Sequence, residues 1–424
     1  MEEHVRASIA YTMSHSVPAA ILGAWIAVGA HAPASANVIT DWDEKAVAFL
    51  QPRMVPPVAY RAMAIVHIAM FDAVNSIEPL YQPYYAQYQV MGETSKDAAA
   101  AAAAGAVLTQ LLPDISSEIQ AALRNYLSAI PESDAKSNGV KLGDAVAAKT
   151  LEARDNDGSS TADAYRPVTT PGAYIPTALT VAPHWPDLAP FAMTSPSQFR
   201  PKPPIALESD QWAKDYNEIK ELGAKNSSKR SPRQTEDARF WLLTGPLSTH
   251  PLHRQVAMRK EMSVIDSARF MAVITAAEAD AMIAVLDAKY KYAFWRPITA
   301  IRNGDIDGNA ATEREATWQP IDNTPMHPEY PCAHCIVSST VASAVEAMLG
   351  TAEIPEVTMT SPTAPGVTHR WTNLHAYADE VSAARIAAGF HYRFSTVEGE
   401  EMGRQIGVHV VKTIMQPLRP TSAR

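Results

Sequence analysis

Residues 161 to 205 carry a proline every few positions, through YRPVTTPGAYIPTA, APHWPDLAP and FRPKPP. Proline fixes φ and lacks an N–H, so neither a helix interior nor a central strand runs through such a stretch. It is predicted to be a long ordered loop. Tyr174, Trp185 and Phe191 within it set it apart from a flexible linker, so it should wrap a core or cover a site. Whatever core exists must therefore be built from the segments on either side.

Those segments read as helices. Val58 to Ile77 is apolar on nearly every face, as a buried helix is, with His67 and Asp72 expected as satisfied core polar groups. KDAAAAAAAGAVLTQLL, SSEIQAALRNYLSAI and SDAKSNGVKLGDAVAAKTLEARDNDG follow, separated by Pro, Asn and Gly. Helical patterns resume at SDQWAKDYNEIKELGAK, from about His250 to Tyr292, after Cys332, from Asn373 to about Gly389, and over GEEMGRQIGVHVVKTIM. Strand signals are scarce. The expected fold class is all-α: one helical domain over residues 37–424, a bundle with the proline-rich loop packed on it.

Ahead of that domain, no Lys, Arg, Asp or Glu occurs between Arg6 and Asp41, and VPAAILGAWIAV is followed by APASAN. The apolar run is shorter than the roughly 20 residues of a spanning helix, and Ala34 and Ala36 suit an export cleavage site. Residues 1–36 are read as a signal peptide, with an uncleaved membrane anchor as the alternative; the first reading implies a periplasmic or secreted protein with no integral membrane segment in the mature chain. A formal net charge of -9 argues against a nucleic-acid partner. Any anion bound must meet a local cluster of positive charge.

Such a cluster is assembled from three segments within 289–395: KYKYAFWRP (Lys289–Pro297), HPEYPCAHC (His327–Cys335) and ARIAAGFHYRFS (Ala384–Ser395). Lys289 and Arg296 are seven apart, which on one helix places both on a single face; a solvated basic face is the ordinary alternative. Pro331 suits a first helical turn, leaving the N–H groups of Cys332 and Ala333 free for an anion with His334 beside them. Arg385 and His391 are six apart, and a turn at Gly389 would bring both to one pocket, where the imidazole could act as nucleophile or metal ligand.

Taken in order, K-x6-R-P, P-x-x-H and A-R-x5-H resemble the motifs of the vanadium-dependent haloperoxidases and of the acid phosphatases that share their fold. The resemblance is strong over the C-terminal third. It implies vanadate as cofactor, with His391 bonded to vanadium or, in a phosphatase, accepting the phosphoryl group. Lys289, Arg296 and Arg385 would neutralise the oxyanion, Cys332 and Ala333 would lie against it, and His334 would be the general acid/base. Hydrogen peroxide and a halide would be the substrates, with His334 taking the peroxide proton and Lys289 polarising it. A phosphate ester is the substrate in the alternative. AFWRP is similar to the haloperoxidase form of the first motif, and His327 matches a halide-linked histidine of bromoperoxidases, which favours bromide.

The sequence departs from the family at Cys332, Ala333 and Ala384, where relatives carry Ser, Gly and Ser. A thiol is a poor donor toward an oxyanion and is oxidisable by peroxide, unless Cys332 and Cys335 are joined. These departures keep open a third reading, an oxyanion-binding protein with little turnover. Family phosphatases have an aspartate at the position of Ser395, so His391 is expected to lack an orienting carboxylate. A thioredoxin-like reading of the CxxC is weaker without a βαβ pattern. GDIDGNAATEREA is expected as a surface loop, since Ala310 and Ala316 replace the Gly and Glu of a calcium loop. His369 and His375, or His250 and His253, would either line the pocket or be structural.

Overall fold

The computed structural model describes residues 36–418, so all of the predicted export signal but Ala36 lies outside the described residues. Among the described residues the chain is mostly helical, in the order α1 (Val38–Leu50), α2 (Pro56–Ile77), α3 (Lys96–Leu111), α4 (Ser116–Ser128), α5 (Asp134–Ala153), α6 (Asp210–Leu222), α7 (Pro232–Phe240), α8 (His250–Arg259), α9 (Val264–Tyr292), α10 (Pro297–Arg302), α11 (Ala333–Leu349), α12 (Leu374–Ala387) and α13 (Arg393–Thr413). A hairpin, β1 (Glu353–Ser361) with β2 (Ala364–Asn373), interrupts them.

The all-α expectation holds, with α1, α7, α10 and this hairpin as additions, and the pattern read from His250 to Tyr292 divides into α8 and α9. The hairpin is antiparallel, pairing Val357 with Trp371 and Met359 with His369. Pro355 and Gly366 blunt its strand signal, and the apolar residues that turn inward alternate over only a few positions.

Two helices organise the core. In α2, every residue from Ala62 to Ser76 is buried, against α1, α3, α5 and α9. By length and hydropathy α2 qualifies as a membrane span, contrary to the expectation that no segment after the signal would. Its burial on all sides is what a core helix shows as well. The second organiser is α9, whose inner positions from Ala268 to Lys289 are buried almost without break. It packs on α2 along one side and on α11 and α13 along another.

Burying α9 also buries its carboxylates, and each needs partners. Asp280 accepts the N–H groups of Phe191, Ala192 and Met193 at 2.6, 2.8 and 2.9 Å. Asp287 takes a two-pronged ion pair from Arg200, 2.6 Å on each arm. Both sets of partners come from the proline-rich segment, which thus wraps the core as expected. Asp72 of α2 is served in the same way by the N–H groups of Tyr84, Tyr85 and Ala86.

The proline-rich segment also reaches the site region. Ala173 bridges Phe294, with Tyr174 N–H donating to Ala293 O and Trp295 N–H to Gly172 O. The GDIDG stretch is an ordinary loop: Asp307 accepts from Trp212 Nε1, Asn309 N–H and Thr312 Oγ1.

Candidate active site

The first segment does not present Lys289 and Arg296 from one helical face. Helix α9 ends at Tyr292, Ala293 takes a left-handed conformation (φ 45°, ψ 41°), and Arg296 sits outside as the extended N-cap of α10. Pro297 enforces this, because a residue before proline is driven out of the α region. Both side chains still turn inward, and both are almost fully buried.

There they fasten the second segment. Lys289 Nζ donates to Pro328 O at 2.9 Å and Glu329 O at 2.6 Å. Arg296 Nε donates to His327 O at 2.9 Å, and Nη2 to His327 Nδ1 at 3.0 Å. The two cations therefore fix the HPEYP backbone, and with it the side chain of Glu329.

The second segment differs from expectation at its start. Pro331 precedes the helix; Cys332 is the N-cap and Ala333 the first residue of α11. The Cys332 N–H is not free, since it donates to Ser395 O at 3.2 Å. Its sulfur is joined to Cys335, with the Cα atoms 5.3 Å apart. Of the two expected anion donors, the Ala333 N–H alone remains without a partner among the described residues. The disulfide removes the oxidisable thiol from the site. His334 lies at a cavity of about 430 Å³. A carbonyl only accepts, so its Nε2–H donates to Leu243 O (3.1 Å), leaving Nδ1 as the basic nitrogen.

In the third segment Gly389 turns the chain as predicted, with φ +81°. A Cβ there would lie 2.5 Å from Gly223 O, so the close approach of the two loops also requires glycine. Arg385 Nη1 donates to Trp241 O at 2.6 Å, its guanidinium lies over the Phe390 ring, and its buried Nε has no partner among the described residues.

His391 is not left without a carboxylate. Its Nδ1 lies 2.7 Å from Glu329 Oε1, which also accepts the Tyr392 N–H at 3.2 Å. With Glu329 ionised, Nδ1 carries the hydrogen and Nε2 the lone pair. Arg296 Nη1 is near Nε2 at a long 3.3 Å. The Ser395 hydroxyl lies beside Glu329 without completing a well-formed hydrogen bond. A small residue at 395 leaves room for a carboxylate arriving from elsewhere in the chain. Glu329 was legible in one respect: it is the one acidic residue in the three segments.

The charges do not balance. Lys289, Arg296 and Arg385 are buried around one carboxylate, Glu329. Burial and mutual repulsion hold the Lys289 ammonium well below the usual lysine value, and burial brings Arg296 down to about 10. Burial and Arg296 bring Arg385 down to about 9. Burial, and then the adjacent cations, push His327, His334 and His391 well below an ordinary histidine. Burial raises Glu329 to about 7 against the pull of Lys289 and Arg296. Excess buried positive charge with unused donors fits an oxyanion.

Of the remaining histidines, His369 stacks on Phe240 and bonds Glu380, and His375 pairs with Glu346 at the surface. Neither lines the cavity. His250 and His253 are fully buried and are not part of the cavity lining.

Residues 269–420 match the model of the VCPO second helical-bundle domain. The chain is 28% identical over 140 residues to the vanadium chloroperoxidase of Curvularia inaequalis, a stretch covering 28% of this chain and 23% of that protein. Matched to this chain is thus only about a quarter of that relative's length. Among solved structures, a bacterial vanadium-dependent iodoperoxidase superposes with a TM-score of 0.76 at 22% identity, covering 90% of this chain and 97% of the other. A holo-type bacterial vanadium-dependent chloroperoxidase gives 0.70 at 19% identity, covering 90% and 98%. Those superpositions establish the shared fold, and over residues 269–420 the chain carries the helical-bundle domain of the vanadium chloroperoxidase family.

Proposed function

We propose that this chain is a vanadate-dependent haloperoxidase that uses hydrogen peroxide to oxidise a halide, bromide in preference to chloride, to hypohalous acid. The observation that carries the reading is the buried excess of positive charge beside an imidazole whose Nε2 lone pair is held ready by Glu329. Lys289, Arg296, Arg385 and the Ala333 N–H would hold the vanadate oxygens, and His391 Nε2 its vanadium. Bound vanadate supplies a Lewis-acid centre that activates peroxide. His334 Nδ1 would take and return the proton, and burial, with Arg385 beside it, lowers its pKa.

Apolar side chains make up most of the cavity wall, among them Met282, Leu286, Met326, Val337 and Val381, and His327 faces it beside Arg296. A large, weakly hydrated halide loses less on entering such a chamber than chloride does. The disulfide and the uncharged N-terminal stretch support a periplasmic or secreted location.

One observation favours a second reading: a histidine oriented by a carboxylate is also a phosphoryl acceptor, so Glu329 supplies what an acid phosphatase would need. Assaying the purified protein with vanadate, peroxide and bromide, and then with a phosphomonoester and no vanadate, separates the two. Bromination that requires vanadate and disappears in His391→Ala is expected. Phosphatase activity inhibited by vanadate would overturn the proposal, and inactivity in both assays would leave an oxyanion-binding protein.

A further inference from the structure

Helix α9 carries a third buried carboxylate, Glu278, three turns before Lys289, and the proline-rich segment does not serve it. Neither of its oxygens completes a hydrogen bond among the described residues. Around it stand His250 and His253 of α8, also fully buried. Among the described residues, both ring nitrogens of His253 and the Nε2 of His250 likewise lack a hydrogen-bond partner. A fully buried group of this kind without partners calls for a missing one.

We propose that His250, His253 and Glu278 bind one divalent transition-metal ion of the zinc class, at a site separate from the oxyanion pocket. H-x-x-H on a helix puts both imidazoles on one face, a turn apart. His250 Nε2 lies 3.3 Å from Glu278 Oε2, and His253 Nε2 lies 3.8 Å from Oε1. One ligand atom from each of the three residues falls within 4.8 Å of the others. Ligands at ~2.0–2.2 Å from a tetrahedral ion stand roughly 3.3–3.6 Å apart, so the set needs little adjustment to close on a metal.

The surroundings orient the donors. Asp43 Oδ1 lies 2.6 Å from His250 Nδ1, and a carboxylate there holds the hydrogen on Nδ1 and leaves Nε2 bare toward Glu278. Arg254 Nη1 neutralises Asp43 at 2.7 Å, and His67 Nε2 lies 2.8 Å from Asp43 Oδ1. The donor set thus brings one negative charge and two neutral imidazoles to a divalent ion, and such ligands suit zinc and its neighbours. A metal-free alternative has a protonated His250 bridging Asp43 and Glu278. It accounts for His250 but leaves His253 with no partner on either nitrogen. Thr249, Tyr60 and Tyr377 separate the cluster from the cavity, so the ion would brace the cavity's rear wall.

The test is elemental analysis of the purified full chain, followed by unfolding with a chelator, refolding with Zn²⁺ or Co²⁺ alone, and melting of each form. One ion per chain is expected, with a tetrahedral visible spectrum for the cobalt form and a higher melting temperature than the metal-free protein. His253→Ala and Glu278→Gln should lose the ion, Asp43→Asn should weaken it by about 10- to 100-fold, and His391→Ala should keep it. Wild-type protein that takes up neither ion and melts identically with and without them would overturn the site, as would binding that survives both ligand substitutions. The wild-type comparison stands even where a variant fails to fold.

Discussion

Glu329 Oε1 lies 2.7 Å from His391 Nδ1, joining two residues 62 positions apart in the sequence. With Glu329 ionised, the contact fixes which imidazole nitrogen carries hydrogen and so which one would face a bound anion. In Glu329→Gln the amide no longer compels that choice, and vanadate affinity and halide oxidation should both fall by about 10- to 100-fold. Vanadate titration of the metal-stripped variant beside wild type measures this. Unchanged affinity would mean that Arg296 alone orients the ring.

The raised pKa of Glu329, about 7, gives a pH signature in the anion-free protein. Between the ordinary carboxyl value and 7 the native state keeps a proton that the unfolded chain releases. Stability should therefore fall as pH rises through that window, because the folded form binds more protons there. Lys289, Arg296, His391, the Ser395 hydroxyl and the Tyr392 N–H surround this group. Chemical denaturation at several pH values should show a shallower decline in Glu329→Gln than in wild type.

The Cys332–Cys335 link closes a very short loop at the start of α11. In the chain-entropy picture such a loop contributes about 2 kcal/mol. The double variant Cys332→Ser, Cys335→Ser should lose about that much stability while keeping its α11 N-terminus. Thiol titration of denatured, unreduced wild type should find no free thiols; two would show that the link does not form.

Helices α11 and α13 approach closely because α13 presents glycines to α11. A Cβ at Gly403 would sit 2.3 Å from Ile336 O, on backbone that has no freedom to yield. Gly403→Ala should cost about 1–3 kcal/mol through overpacking, read as a lower denaturation midpoint, despite the better helix propensity of alanine. Activity should fall with it, since α11 carries His334.

Asp280 fastens the proline-rich segment by accepting three backbone N–H groups. Asp280→Ala leaves those donors without an acceptor, at about 1–3 kcal/mol each before water enters. The variant should be less stable and cut faster by protease within 161–205. Resistance equal to wild type would place the anchorage at Arg200 and Asp287 instead.

Much of this protein is determined by the sequence alone. Helical periodicity, proline density and the scarcity of alternating segments specify the bundle and its ordered loop, because these are local properties of the chain. The motif spacings likewise mark Lys289, Arg296, His334, Arg385 and His391, and Gly389 marks the turn between the last two. Tertiary structure decided what depends on residues far apart meeting. It put Glu329 where Ser395 left space, spent the Cys332 N–H on Ser395 O, and brought Lys289 and Arg296 together through a chain turn rather than a helix face. It also gathered Asp43, His67, His250, His253 and Glu278 from four helices into one buried cluster. No local pattern carries these pairings, since each is fixed by packing that only the whole bundle creates.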